Sequence, residues 1–155
     1  METIINRYEA ADKTQVIEVW EQSVRATHLF LKELDIVLYK SILQGFDFTS
    51  LAVFCLRDPT NRVLGFIGVA GDKLEMLFLQ PAYMGQGYGK LLLKYAIDQL
   101  NVTRVDVNED NRRAYRFYRH YGFAVIKRKP VDDFGKPYPI LEMALRNQKK
   151  PGLFL

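Results

Sequence analysis

Apolar residues recur along this chain with two different periods, and the changes of period mark out helices and strands. Residues 3–8 read as a first strand. Ile17, Trp20 and Val24 then fall at helical spacing behind Asp12 and Gln15, a pair three residues apart that suits an N-cap and capping box. Leu34, Leu38, Ile42 and Leu43 repeat that spacing, which predicts a second helix that Gly45 can end. Three strand-like runs follow, over residues 51–57, 63–70 and 73–79. Asp58-Pro59-Thr60-Asn61 and Gly71-Asp72 join them, and both are turn sequences, so the three runs form an antiparallel meander.

Pro81 stops the third run, and a helix is predicted from Gly89 to about Leu100, with Leu92, Leu93, Ala96 and Leu100 inward. Residues 103–107 are rich in β-branched side chains and read as a strand. Asn111 is placed to cap a helix reaching Tyr121, with Ala114, Phe117, Tyr118 and Tyr121 on one face. Gly122 stands where a C′ glycine belongs, and two more strands are predicted near 124–127 and 138–145. The order β-α-α-β-β-β-α-β-α-β-β implies an α/β (α+β) domain over residues 1–146. Its expected sheet is mixed and mostly antiparallel, of about seven strands, with helices on both faces. Residues 147–155 form a basic, then apolar tail, expected to be loosely held.

Composition narrows the function classes. With 155 residues, 48% hydrophobic and 26% charged, the chain suits one globular domain with a proper core. No apolar run is long enough to span a bilayer, and residues 1–8 carry Glu2 and Arg7 without a small-residue cleavage site, so neither a membrane anchor nor a signal peptide is expected. The single cysteine, Cys55, rules out an internal disulfide and a cysteine-based zinc site, and fits the cytoplasm; it reads as a small core residue. The net charge of +4 suits an anionic partner, but the basic residues are scattered, which does not favour nucleic acid.

The most informative stretch is Met84-Gly85-Gln86-Gly87-Tyr88-Gly89-Lys90, between a strand and a helix. Glycines at alternate positions let the backbone approach an anion, and the helix start adds its positive dipole end. Such a loop is suited to a pyrophosphate. Lys90 breaks the Rossmann fingerprint, which needs glycine there, and Met84 and Leu91 break the P-loop pattern. A glycine-rich turn with no ligand is the competing reading.

Two motifs decide between these. Residues 77–89, Leu-Phe-Leu-Gln-Pro-Ala-Tyr-Met-Gly-Gln-Gly-Tyr-Gly, resemble motif A of the GNAT superfamily of N-acetyltransferases. Residues 111–123, with Asn111, Ala114, Phe117, Tyr118, Gly122 and Phe123, resemble its N-x-x-A-x-x-F-Y-x-x-x-G-F segment. The resemblance covers about residues 4–145. Arg25-Ala26-Thr27-His28 and the segment from Val131 to Leu141 look like a bacterial YjaB-like subgroup.

The resemblance implies an enzyme, an acyltransferase that moves an acetyl group from acetyl-CoA to an amine in a ternary complex, without a metal. The amine belongs to a small molecule or a peptide. It implies that Leu77 offers its N–H to the thioester carbonyl, that Phe78 and Leu79 lie along the pantetheine strand, and that Met84, Gly85, Gln86, Gly87, Tyr88, Gly89 and Lys90 hold the pyrophosphate. The superfamily usually has Gln or Arg where Met84 stands, and uses mainly the backbone N–H of that position. Asn108 and Asn111 are implied pantetheine contacts. Tyr118 is the implied general acid and coenzyme contact, and Glu75 the carboxylate available as base. His28 and Tyr138 are implied to line the acceptor site. Each has a plainer reading: Leu77, Leu79 and Tyr118 as core residues, Asn111 as a helix cap, Glu75 as an exposed strand residue, His28 as a structural histidine. The alternative function is a non-catalytic acetyl-CoA-binding or sensing protein. A monomer or homodimer is expected, with no membrane partner.

Overall fold

The computed structural model describes residues 1–146, arranged as two compact units, one from Met1 to Val102 and one from Thr103 onward. The tail expected over 147–155 lies outside the described residues. In the first unit β1 (Ile4–Arg7), α1 (Lys13–Thr27), α2 (Glu33–Gln44), β2 (Ala52–Arg57), β3 (Val63–Ala70), β4 (Lys73–Leu79) and α3 (Tyr88–Leu100) follow in order. Its strands pair as β1-β2-β3-β4, each antiparallel to the next. In the second unit come β5 (Arg104–Asn108), α4 (Arg112–His120), β6 (Phe123–Lys129) and β7 (Ile140–Leu145). There β7 lies between β5 and β6 and is antiparallel to both. Among the described residues seven strands and four α-helices thus occur in the expected order, and the fold class is the expected α/β.

Strands β2 and β3 read as continuous apolar runs because helices cover both of their faces. Val53, Cys55 and Phe66 pack with Val16, Trp20 and Val24 of α1. Phe54, one residue along and so on the opposite face, meets Tyr95 of α3 with ring centroids 5.2 Å apart. Cys55 is fully buried, and burial pushes its thiol up to about 12, which leaves an inert core residue as the sequence suggests.

Asp12 does not cap α1 through its side chain. It is taken by Arg57 instead, whose Nη1 and Nη2 donate to the two carboxylate oxygens at 2.8 and 2.7 Å. Gln15 also leaves the helix end and accepts the N–H of Val63 at 3.0 Å. In both cases a long-range partner outcompetes the local cap.

The second helix forms where predicted, and only part of its apolar spacing turns inward. Asp35 and Ile36 are buried, and Tyr39 and Leu43 pack on the core, whereas Leu34 is 82% and Leu38 40% exposed. Several i, i+4 stripes can be drawn on a helix as apolar as this one, so spacing alone did not choose between them.

Close approach of β3 and β4 rests on two glycines with unequal tolerance. A Cβ at Gly65 would sit 2.8 Å from the carbonyl oxygen of Phe78, a backbone atom. At Gly68 the nearest atom is the flexible Met76 Cε, at 2.7 Å. Gly65→Ala is therefore expected to cost about 1–3 kcal/mol. Gly68→Ala should cost clearly less, because that methyl can swing away. Urea denaturation of the two variants checks the order.

Candidate active site

The glycine loop is anchored before it begins. Gln80, 9% exposed, follows β4; its N–H donates to the Leu64 carbonyl and its Nε2 to the Val63 carbonyl, both at 2.8 Å. Pro81–Tyr83 then forms one 3-10 turn. The Met84 N–H donates to the Pro81 oxygen at 3.2 Å, so this turn already occupies the donor expected to face phosphate. The Gln86 side chain folds back to donate to the Ala82 oxygen at 2.8 Å. The rings of Tyr83 and Tyr88 meet edge-on with centroids 6.1 Å apart and tie the two ends of the loop together.

Gly85 and Gly87 have φ of 73° and 92°, in the left-handed region that favours glycine. Gly87 is the N-cap of α3 and offers no side chain to it. The first bond of the helix runs from the Leu91 N–H to the Gly87 oxygen at 3.1 Å, so the N–H groups of Tyr88, Gly89 and Lys90 have no acceptor within the helix. No acidic residue stands in this first turn, whereas α2 opens with Glu33 and Asp35. Lys90 adds a positive charge there, which costs an isolated helix about 0.3–1 kcal/mol. Gly85, Gln86, Gly87 and Lys90 are exposed. A helix end that is open, uncapped and more positive than its dipole alone requires is suited to an anion, so the residues present fit a pyrophosphate.

Strand β4 leads into this loop. Gly68 pairs with Met76 but Val69 with Leu74, so Glu75 is the extra residue of a β-bulge. Bulging turns Glu75 outward, and it is exposed. Leu77 and Phe78 are half-buried and Leu79 is 7% exposed, so Leu79 is a core residue as well as a candidate. Phe78 meets the ring of His28 at 6.5 Å, which brings the α1–α2 connection to β4. His28 ends α1, its N–H donating to the Val24 oxygen at 2.7 Å. Burial beside Phe30 and Phe78 lowers its ring to about 4, so the imidazole is neutral at physiological pH.

In the second unit Asn108 closes β5, and its carbonyl accepts the Asn111 N–H at 3.0 Å. The Asn111 side chain accepts the Ala114 N–H at 3.2 Å, so the capping role is realised. Tyr118 is buried between Phe117 and Phe123, at centroid distances of 5.2 and 5.8 Å. Burial pushes its hydroxyl well above the usual phenol range. Tyr138 is 6% exposed, and its N–H donates to the Lys136 oxygen at 2.7 Å. Among the described residues no group of three or more His, Cys, Asp or Glu is placed to hold a metal ion, and no helix is long and apolar enough to cross a membrane.

Sequence reasoning missed the anchoring role of Gln80. Its signal is a polar residue between an apolar strand and a proline, which also describes any strand end. The partner, β3, is known only once the sheet forms.

Residues 50–125 match the model of an acetyltransferase (GNAT) domain. Over 138 residues the chain is 33% identical to peptidyl-lysine N-acetyltransferase YjaB of Salmonella typhimurium, spanning 89% of this chain and 93% of that protein. The solution structure of apo-form YjaB from Escherichia coli superposes with a TM-score of 0.88 at 30% identity, covering 96% of this chain and all of that one. The PaiA N-acetyltransferase of Thermoplasma acidophilum, solved in complex with coenzyme A, shares the fold with a TM-score of 0.70 at 22% identity, over 92% of this chain and 98% of that one. With this identity along nearly its whole length and this loop between β4 and α3, the chain belongs to the GNAT superfamily of acetyl-CoA-dependent N-acetyltransferases.

Proposed function

We propose that this enzyme acetylates the ε-amine of a lysine in a peptide or protein, in the cytoplasm, as a monomer or homodimer. The observation that carries the acceptor class is the 33% identity over 93% of a protein named as a peptidyl-lysine N-acetyltransferase. Nothing among the relatives favours a non-catalytic sensor.

In this reading Tyr88, Gly89 and Lys90, with the Gly85–Gly87 backbone, hold the pyrophosphate, and Gln86 shapes the loop from within. Met84 contributes contact area rather than its N–H. Phe78 and Leu79 line the pantetheine path, Leu79 pairing with its amides, and Asn108 and Asn111 donate to it. The Leu77 N–H polarises the thioester carbonyl, the kind of donor whose loss costs about a hundredfold or more in rate. The lysine amine attacks the carbonyl carbon; a C–N bond forms, the C–S bond breaks, and the amine proton passes to Glu75 on the bulge. His28 and Tyr138 border the acceptor.

Tyr118 supplies a hydrogen bond to the departing sulfur. Its raised pKa keeps the hydroxyl protonated but makes full proton transfer to a thiolate of ordinary pKa, about 8.5, uphill. Tyr118→Phe is therefore expected to slow turnover about 10- to 100-fold, the worth of one hydrogen bond to a charged atom, with acetyl-CoA affinity nearly kept. Wild-type turnover would leave Tyr118 as a packing residue.

The overall reading is tested by mixing the purified protein with acetyl-CoA and a lysine-containing peptide. Peptide-dependent thiol release, with acetyl on the lysine, is expected. Coenzyme binding without release from any lysine peptide would overturn the acceptor assignment.

A further inference from the structure

The positive charge of this protein is unevenly held. Residues 1–102 carry more acidic than basic side chains, and residues 103–146 more basic than acidic ones. Within that second unit α4 concentrates the excess. Four of its nine residues, Arg112, Arg113, Arg116 and Arg119, are arginines, and none is acidic. All four are exposed. At about 100° per residue they fall within about a third of the helix circumference, along about 10 Å of its axis. The buried Tyr118 lies on the other side.

This face is not neutralised from within. Exposed Arg25 is held by Glu21 and Glu33, and Lys40 by Glu21. Among the described residues the side chains of Arg112, Arg113 and Arg116 make no hydrogen bond and no ion pair. Glu109, just ahead of α4, is taken by Arg128, whose Nε and Nη2 donate to its two oxygens at 2.6 and 3.1 Å; Arg112 acts on it only from farther away. Arg119 donates from Nη1 to the Tyr115 hydroxyl at 3.0 Å and lies 5.8 Å from the centroid of that ring, which holds it on this face. The arrangement also opposes the helix that carries it. Arg112 and Arg113 stand in the first turn, at the positive end of the dipole, and Arg116 meets like charges at 112, 113 and 119, three or four residues away.

We propose that the outward face of α4 is a docking surface for an acidic segment of a partner protein. Guanidinium forks match carboxylates in a bidentate way, and a span of about 10 Å suits about three residues of extended chain, at about 3.3 Å each. Charge complementarity on this scale favours a short acidic segment over other polyanions. A nucleic acid carries its charge evenly along its length and needs a longer basic track, and an anionic membrane surface wants large apolar anchors among the cations, which α4 does not expose.

Fluorescence anisotropy with a labelled hexaglutamate peptide tests this, with coenzyme A present at saturation so that the glycine loop is occupied. The peptide contains no lysine, so the result is independent of the acceptor assignment. The wild type should bind it, more weakly as salt rises, and should ignore hexaglutamine. Arg116→Glu should weaken binding about tenfold, since an attraction becomes a repulsion, and Arg116→Gln should weaken it less. Lys94→Glu makes the same change of charge on α3, where Lys94 is 71% exposed, and should leave the affinity within about twofold of the wild type, as expected for a screened distant charge. Thermal denaturation supplies a second readout. Arg116→Glu places a carboxylate among Arg112, Arg113 and Arg119, so its Tm should equal or exceed that of the wild type while its binding falls. No binding by the wild type, equal affinity in Arg116→Glu, or an equal loss in Lys94→Glu overturns the proposal. Tighter binding of hexathymidylate at the same salt, lost in Arg116→Glu, would also overturn it and assign the face to nucleic acid.

Discussion

Gly87→Glu is expected to weaken acetyl-CoA binding about 100-fold or more. An added Cβ meets no atom within 4 Å, so space is not the obstacle. The carboxylate would stand at the open end of α3, where the coenzyme phosphates are proposed to lie. At a separation of about 5 Å and an effective dielectric of about 20, one such repulsion is worth about 3 kcal/mol, or about two decades in affinity. The positive φ of 92° strains any side chain there, so Gly87→Asn serves as the uncharged control; asparagine tolerates this conformation better than most residues. Calorimetric titration should rank wild type first, Gly87→Asn close behind and Gly87→Glu far below. Equal affinity for all three would remove this loop from the coenzyme site. Equal weakness of both variants would mean that loop shape, rather than charge, controls binding.

Asp12→Ala is expected to destabilise the fold by about 3–5 kcal/mol, because it leaves a buried guanidinium without its counter-charge. Arg57 is 4% and Asp12 6% exposed. Besides the two bonds to Asp12, the Arg57 Nε donates to Asn6 at 2.6 Å, so one side chain joins β1, β2 and the start of α1. Replacing both partners together, with Asp12→Leu and Arg57→Met, should recover most of the loss, because the desolvation cost leaves with the charges. The pair also sets a pH dependence. Hydrogen bonds from Arg57, and then from the Glu9 N–H, hold the Asp12 carboxyl below the usual carboxylate range against the opposing effect of burial. A lowered folded value means that the stabilisation is fully present above the unfolded pKa of about 4 and is lost as pH falls through the folded value. Denaturation between pH 7 and pH 2 should show the wild type losing its advantage over Asp12→Ala only at the acid end. A parallel loss in both proteins would mean that other carboxylates control acid unfolding.

Much of this molecule is written locally. The turns Asp58-Pro59-Thr60-Asn61 and Gly71-Asp72 set the β2-β3-β4 meander, because Asn61 and Gly71 adopt the positive φ that those sequences favour. Asn111 caps α4 and Gly122, with φ of 97°, ends it. Gly85 and Gly87 announce an anion-binding loop for the same reason, since few other residues hold that backbone at low cost. These features depend on neighbours within a few residues, which is why periodicity and turn chemistry reach them.

What the tertiary structure alone decided is which of several local options wins. Asp12 and Gln15 satisfy a capping pattern, yet Arg57 and Val63, far along the chain, take both side chains. Leu34 and Leu38 satisfy a helical stripe, yet the core receives Ile36, Tyr39 and Leu43. The bulge at Glu75 exists only as a mismatch between β4 and β3. Sequence by itself determined the order of elements, the turns and the glycine loop, because each needs only the backbone preferences of adjacent residues. The inward face of α2, the partner of every buried charge and the protonation of the site residues depend on distant groups competing for the same atoms, and folding settles that competition.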